Sequence, residues 1–242
     1  MNAELIERLN RINREFYSTF AASFSASRSE SARELQVILP YIADGARVLD
    51  VGCGNGRAAA LLARERRDVM YVGVDASEEL IARCKMQAAS RKAQGATFRV
   101  ADIIQPEWTR HLARQSCDCV LMLAVLHHIP GSETRARILR QARELLAPQG
   151  RVVVSTWQFL DNERMSKKIV PWSVAEIDEA ELEPGDALLS WKRGGAGLRY
   201  CHWMGEQELR ALATQASLSI VETFRAGGRE GNLSLYVVLT AA

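Results

Sequence analysis

A surplus of either charge is missing from this sequence: 31 Lys and Arg stand against 29 Asp and Glu, a formal net charge of +2 over 242 residues. No half is basic either, since residues 151–242 carry 10 Lys and Arg against 12 Asp and Glu. Nucleic acid is permitted by this balance, not demanded by it. Long apolar runs are also absent. The longest, Cys119 to Leu126, is far too short to cross a bilayer, so no membrane partner is expected. The opening stretch, MNAELIERLNRINREFYSTF, mixes acids and bases around no apolar centre and does not read as a signal peptide. Cysteine pairs of the C-x-x-C kind are lacking; the five cysteines, at 53, 84, 117, 119 and 201, are odd in number and scattered. That usage fits a reduced, cytoplasmic setting, and no metal site is expected. Internal repeats and low-complexity tracts are missing too. What remains is an ordinary globular composition, 48% hydrophobic and 25% charged, in a chain long enough to bury a core as one domain.

Apolar spacing predicts helices over 3–15 and 29–39, joined by an aromatic- and serine-rich turn from Phe16 to Arg28. From Arg47 onward short apolar runs alternate with helical stretches. Strands are predicted at Arg47–Val51, Val69–Val74, Thr97–Val100, Val120–Leu123 and Arg151–Thr156, with helices at Gly56–Arg66, Ser77–Arg91, Glu107–Arg114 and Ser132–Leu146. Continuous apolar strands separated by helices imply a parallel sheet covered on both faces. The rhythm breaks over residues 157–200, an irregular insert with an acidic stretch and a glycine-rich basic one. A helix at Glu206–Gln215 and strands at Ser219–Phe224 and Leu233–Leu239 follow. The gap between these strands, RAGGREGN, is hairpin-like, so they are expected to be antiparallel. The fold class is therefore α/β: a doubly wound, mostly parallel seven-stranded sheet with an antiparallel C-terminal hairpin.

The first strand runs into D-V-G-C-G-N-G. Glycines after a strand and before a helix bring backbone close to a nucleotide. The spacing is G-x-G-x-G rather than G-x-G-x-x-G, and no Lys-Ser/Thr follows, so it is not a P-loop. Asp75 ends the next strand, nineteen residues beyond Gly56, where a carboxylate accepts hydrogen bonds from ribose hydroxyls. Asp50 precedes the loop and is placed to orient it or to meet a cationic ligand head. Asp102 ends the third strand; with the Ile103 backbone it can read an adenine edge, or it can cap the following helix. Three successive strand ends thus aim polar groups at one crevice.

D-V-G-C-G-N-G, V-G-V-D-A-S, V-A-D-I and L-H-H-I-P resemble successive motifs of the class I S-adenosylmethionine-dependent methyltransferases, whose Rossmann-like fold also ends in an antiparallel hairpin. The resemblance implies S-adenosyl-L-methionine as cofactor, held by Asp50, Gly52, Cys53, Gly54, Asn55 and Gly56. It places Asp75 and Ala76 at the ribose, Asp102 and Ile103 at the adenine, and Ala124 at the end of the fourth strand. It also divides the chain into a helical cap (1–44), a cofactor-binding core (45–156), a substrate-side insert (157–204) and a closing helix and hairpin (205–242).

Outside the core, Y-S-T-F-A-A-S-F-S-A-S-R at 17–28, A-V-L-H-H-I, P-G-D-A-L-L-S-W and L-R-Y-C-H-W-M-G-E-Q-E-L at 198–209 are similar to the tRNA wobble-uridine carboxymethyl methyltransferases. That family esterifies a carboxymethyl group on uridine, so the resemblance implies tRNA as partner, and a small helper subunit accompanies some of its members. The acidic run at 176–186, Cys201 and Trp203 depart from its pattern. A carboxylate is ionised near neutrality and needs alignment and a cation more than a base. Arg199 is the leading clamp and Arg28 the second. Tyr17 and Phe24 either cover the cofactor or pack as helix core. His127 and His128 lie at the crevice edge, one placed to touch substrate and the other to do so or to pack under the helix Ser132–Leu146; for a hydroxyl or amine acceptor, one of them would be the general base. His202 reads as a structural hydrogen-bonding residue, Trp157, Trp172 and Trp191 as base-stacking or buried, and Arg135, Arg137, Arg140 and Arg143 as a solvated helix face. The alternatives are a small-molecule O- or N-methyltransferase using the same pocket and a catalytically silent cofactor-binding subunit.

Overall fold

The computed structural model describes residues 1–27, 32–65, 68–90, 95–228 and 230–242. Strands β1 (Arg47–Val51), β2 (Met70–Asp75), β3 (Ala96–Val100), β4 (Cys117–Leu123), β5 (Leu146–Trp157), β9 (Leu218–Ala226) and β10 (Ser234–Ala241) form one sheet in the order β3-β2-β1-β4-β5-β10-β9. The first five are parallel, and β10 runs antiparallel between β5 and β9. The expected doubly wound sheet with its closing antiparallel pair is therefore present.

Near-continuous burial of Val48–Val51 and Cys119–Met122 reflects cover on both faces. Helices α4 (Ser132–Leu145) and α6 (Glu206–Gln215) lay Ile138, Leu139, Leu209 and Leu212 on one face. Helix α2 (Arg57–Glu65), helix α3 (Glu78–Ser90) and a 3₁₀ segment (Ala32–Tyr41) cover the other with Leu61, Leu62, Ile81 and Ile38. Strand order reverses between β1 and β4, which opens a crevice at their C-terminal ends.

The insert is less irregular than its sequence implies. After a short helix α5 (Glu163–Ser166), strands β6 (Ile169–Val170), β7 (Asp186–Trp191) and β8 (Gly197–His202) form a second, antiparallel sheet. Trp157, Trp172 and Trp191 are all buried, so none is an open stacking platform.

Three local expectations are corrected. Phe16–Ser27 is not a turn but the second half of one 25-residue helix, α1 (Ala3–Ser27). Phe16, Phe20 and Phe24 recur every four residues, and their buried face packs on Trp191; each buried aromatic contributes about 1.5–3 kcal/mol, which outweighs the weak helix preference of the interleaved serines. Glu107–Arg114 forms turns rather than a helix, with Trp108 anchored by its indole N–H to Gln141 Oε1 at 2.8 Å. Of the predicted helix at 29–39, residues 29–31 lie outside the described residues and the rest belongs to a 3₁₀ segment, Ala32–Tyr41, that contains Pro40, whose missing N–H cannot extend an α-helix. Among the described residues no helix is long and apolar enough to cross a membrane.

Candidate active site

The chain turns from β1 into α2 through Gly52, Cys53, Gly54, Asn55 and Gly56, and the three glycines have φ of +70°, +55° and +75°. L side chains are disfavoured there by about 1–2 kcal/mol. At Gly52 a Cβ would also lie 2.5 Å from Val125 Cγ2, so glycine lets the loop close onto the end of β4. At Gly54 a Cβ would meet no atom within 4 Å, yet Gly54 lines a cavity of about 730 Å³. The space beside it is left for a ligand. Cys53, Asn55, Asp75, Ala76, Asp102, Ile103 and Ala124 line the same cavity, which spans the C-terminal ends of β3, β2, β1 and β4.

The acids are held in place by backbone. Asp75 Oδ2 accepts from the Gly54 N–H and Oδ1 from the Ser77 N–H, both at 2.9 Å, leaving lone pairs for hydroxyl donors. Burial pushes its carboxyl up, against the pull of the Ser77, Gly54 and Ala76 N–H groups. Asp102 Oδ1 accepts from the Ile104 N–H at 3.0 Å, so Asp102 caps its turn and walls the cavity at once. Asp50 is buried and accepts a short hydrogen bond from the Tyr71 hydroxyl. Burial raises its pKa to about 7; Tyr71 pulls it down and the neighbouring Asp75 pushes it up. The described cavity lining carries Glu15, Asp50, Asp75, Glu78, Glu79 and Asp102 against Arg11, Arg14 and Arg57, with the acids concentrated around the loop. Such a field repels a pyrophosphate and favours a positively charged ligand with hydroxyls.

The other end of the cleft is aromatic and built from distant segments. Tyr17 and Phe24 from α1 line the cavity with His128, and their rings meet edge to face at 5.2 Å. The Tyr17 hydroxyl lies 3.0 Å from His128 Nε2, while His128 Nδ1 lies 3.1 Å from the Tyr200 carbonyl oxygen. His127 is fully buried under Trp157, whose backbone N–H donates to His127 Nδ1 at 3.4 Å, and it does not line the cavity. Ala124 takes φ of +58° and donates its N–H to Ser155 Oγ at 3.0 Å.

Arg199, on β8, is 2% exposed. Its guanidinium carbon lies 4.8 Å from the Phe16 ring, 4.8 Å from Trp157 and 5.5 Å from Trp191. It forms no ion pair among the described residues, and its Nε has no hydrogen-bond partner there. Arg28 lies outside the described residues.

Several residues of this region carry no local sequence signal. Asn13 is buried on α1; its Nδ2 donates to the His128 and Tyr200 carbonyls at 2.9 and 3.2 Å, and its Oδ1 accepts from the Tyr200 N–H at 2.9 Å. It ties β8 to the segment after β4. Arg135, expected on a solvated face, is 1% exposed because α4 turns it towards Glu183 and Glu208. His202 is structural, bridging Asp186 and Glu208 at 2.6 and 2.9 Å. Glu183, Asp186 and His202 bring three potential metal-ligating atoms together, but the Arg135 guanidinium already supplies the cation between them.

The family model described as a methyltransferase domain matches residues 42–193. Mouse tRNA (carboxymethyluridine(34)-5-O)-methyltransferase ALKBH8 is 27% identical over 74% of this chain, which spans about a quarter of that relative's length (25%). The 27-O-demethylrifamycin SV methyltransferase of Amycolatopsis mediterranei is 28% identical, with 99% of this chain and 93% of the relative covered. Among solved structures, the Burkholderia thailandensis 1,6-didemethyltoxoflavin-N1-methyltransferase, solved with S-adenosylhomocysteine, superposes with a TM-score of 0.66 at 19% identity over 100% of this chain and 92% of its own. The Pyrococcus horikoshii PH0226 protein does so with a TM-score of 0.69 at 19% identity over 94% and 96%. A matching model over more than half of the chain, on this fold and this acid-lined cleft, places the protein among the methyltransferase domains: it belongs to the class I S-adenosylmethionine-dependent methyltransferases.

Proposed function

We propose that the protein methylates a carboxylate oxygen, and that the acceptor is the carboxymethyl group of a modified wobble uridine in tRNA. The observation that carries this reading is Arg199, a buried guanidinium without a carboxylate partner among the described residues; it does not itself line the cavity but packs on Phe16, the neighbour of the lining residue Tyr17. Desolvating a charge costs several kcal/mol, and cation–π contacts return only about 0.5–2 kcal/mol each. An acceptor carboxylate supplies the missing counter-charge, and a guanidinium holds it through a planar pair of N–H donors. Arg164, Lys168 and Arg193 crowd the same edge: burial first, then repulsion by Arg199, Arg164 and Arg193, pushes the Lys168 ammonium below its usual range. An anionic acceptor relieves that repulsion. The mouse relative named for carboxymethyluridine supports tRNA as its carrier.

S-adenosylmethionine supplies an electrophilic methyl on a sulfonium. Gly52–Gly56 and Asp50 would hold its methionine half, Asp75 the ribose, and Asp102 with Ile103 the adenine. Arg199 aligns the acceptor so that a carboxylate oxygen attacks in line, and no proton needs to move. A second reading, transfer to a hydroxyl or amine of a small molecule, is favoured by the rifamycin-pathway relative that covers nearly the whole chain and by His128 as proton acceptor.

Methyl-labelled cofactor incubated with carboxymethyluridine-bearing tRNA tests the proposal. Label in the tRNA that mild alkali releases as methanol marks a methyl ester. Alkali-stable label, or transfer to small hydroxylated or amine acceptors alone, selects the second reading.

A further inference from the structure

The near-balance of charge in this chain hides a separation inside the insert. Between Glu176 and Asp186 stand six acids and no base, whereas residues 163–169 and 191–199 carry six Lys and Arg against one acid, Glu163. The second sheet holds these groups apart. Strand β7 runs from Asp186 to Trp191, about 17 Å at ~3.3 Å per residue. Ile169 on β6 pairs with Leu189, so Lys168 lies beside Ser190 at the Trp191 end. Lys192 and Arg193 continue from that end into the turn before β8, while the acidic run precedes β7 at the other.

Backbone anchors hold the basic end in shape. The Ser190 N–H and hydroxyl both donate to the Lys168 carbonyl, at 2.8 and 3.0 Å, and the Trp191 indole N–H donates to the Arg193 carbonyl at 2.6 Å. Met165 packs the short helix α5 into one cluster with Trp157 and Phe159. On this frame Arg164, Lys167, Lys192 and Arg193 are exposed and Lys168 is half-buried. Among the described residues Lys167 pairs with Glu163 and the other four form no ion pair. Lys168 is instead crowded by Arg199, Arg164 and Arg193, whose repulsion adds to burial in pushing its ammonium below the usual range. Cations held together without counter-charge favour an external anion. The turn also rests on α1: a Cβ on Gly194 would lie 3.2 Å from Ser23 Cβ, and one on Gly195 3.0 Å from Phe20 Cε1. That stretch of α1 carries Tyr17 and Phe24, which line the cavity.

We propose that the basic end of the second sheet is the docking surface for the phosphate backbone of the acceptor RNA, with Arg164, Lys167, Lys168, Lys192 and Arg193 as its phosphate contacts. The inference rests on the tRNA reading above. A chain of phosphates answers all five cations, whereas a small anionic acceptor answers one or two. The acidic end repels the same chain, which confines the RNA to the end of the insert beside the last turns of α1.

Lys167→Gln combined with Lys192→Gln removes two exposed charges and no buried contact. Methyl transfer by native and double-variant protein is measured with carboxymethyluridine-bearing tRNA over a range of salt concentrations, and with the free carboxymethyluridine nucleoside. The variant's KM for tRNA should rise about 10-fold near ~0.1 M salt, with kcat, transfer to the nucleoside and S-adenosylhomocysteine affinity unchanged. Its log KM should rise with log salt on a slope lower by about 1.4, because each single-strand phosphate contact contributes ~0.7. An unchanged KM and slope, or an equal loss with nucleoside and tRNA, overturns the proposal. So does a native protein that methylates the nucleoside as readily as the tRNA, a result that leaves the carboxylate chemistry intact. Loss of binding to phosphatidylserine vesicles with the tRNA KM unchanged reassigns the surface to a membrane and overturns it as well. A native protein that methylates neither tRNA nor nucleoside overturns the proposed function and this inference with it.

Discussion

Arg135 and Arg199 are 1% and 2% exposed, and the protein treats these two buried cations in opposite ways. Around Arg135, Nη1 donates to the Ile129 carbonyl at 2.9 Å, and Nη2 reaches Glu183 at 2.7 Å and Glu208 at 3.1 Å. His202 and Tyr200 extend the network through Asp186 at 2.6 and 2.7 Å. These contacts fasten the second sheet to α4 and α6. Around Arg199 there are rings where Arg135 has carboxylates. A charge answered within the chain is structural, whereas a charge answered only by aromatic faces stays available to a ligand. On the proposed function, the difference separates the half of the insert that holds the molecule together from the half that would face an acceptor.

Replacing each arginine by Met is the strongest way to break the comparison. Arg135→Met strands Glu183 and Glu208 without their cation and should cost about 3–5 kcal/mol in denaturant unfolding. Arg199→Met removes a charge with no carboxylate to strand among the described residues and should leave stability unchanged or slightly higher. Its transfer to a carboxylate acceptor should instead fall by about 1.5–3 kcal/mol in kcat/KM, roughly 10- to 150-fold. A destabilised Arg199→Met, or an Arg135→Met of native stability, would erase the distinction.

The same contrast decides how much of the molecule was legible beforehand. The cofactor end is written in contiguous stretches: strand, glycines and Asp75 lie within 29 residues, 47–75, so local spacing identifies them. The proposed acceptor end is assembled from Phe16, Tyr17, His128, Trp157, Trp191 and Arg199, and only the folded sheet brings them together. Arg199 and the insert's place beside the crevice came from resemblance, but no spacing rule reports that its surroundings are rings. Arg135 sits among Arg137, Arg140 and Arg143 on α4, and its partner Glu183 is 48 residues away, so periodicity alone made it look solvated. Serines hid the four-residue recurrence of Phe16, Phe20 and Phe24 and made half a helix resemble a turn. In the second sheet β6 is only two residues long and ends at Pro171, while β7 follows Gly185 and β8 opens on Gly197, which blurs the pattern that betrays a strand.

Titration sharpens the comparison on the Arg135 side. Burial alone would lower the pKa of His202, but hydrogen bonds to Asp186 and Glu208 outweigh it and raise the value. The proton is therefore bound more tightly in the folded state. Its stabilisation is complete below the ordinary value near ~6.5 and is lost as pH rises through the raised one. Unfolding measured across that window should show stability falling with pH in the native protein. His202→Gln, which cannot titrate, should flatten that slope; an equally steep slope in the variant would place the titrating group elsewhere.

On the cleft side the smallest effect belongs to Asp50, and its sign is opposite for folding and for binding. The folded carboxyl has a pKa of about 7, raised chiefly by burial, whereas an unfolded Asp titrates near ~3.9. The folded state therefore favours the protonated acid, and Asp50's contribution to stability declines as pH climbs from about 4 to 7. A cationic cofactor favours the carboxylate and should bind more tightly over the range in which folding loses ground. At pH 7 about half of the Asp50 population is ionised and at pH 8 about nine-tenths, so affinity should gain only about twofold across that last unit. Calorimetry in two buffers of different ionisation heat should then register release of roughly half a proton on binding at pH 7. Asp50→Asn abolishes both the gain and the proton release. Persistence of either in the variant would move the titrating carboxyl to Asp75, the other buried acid that burial pushes upward.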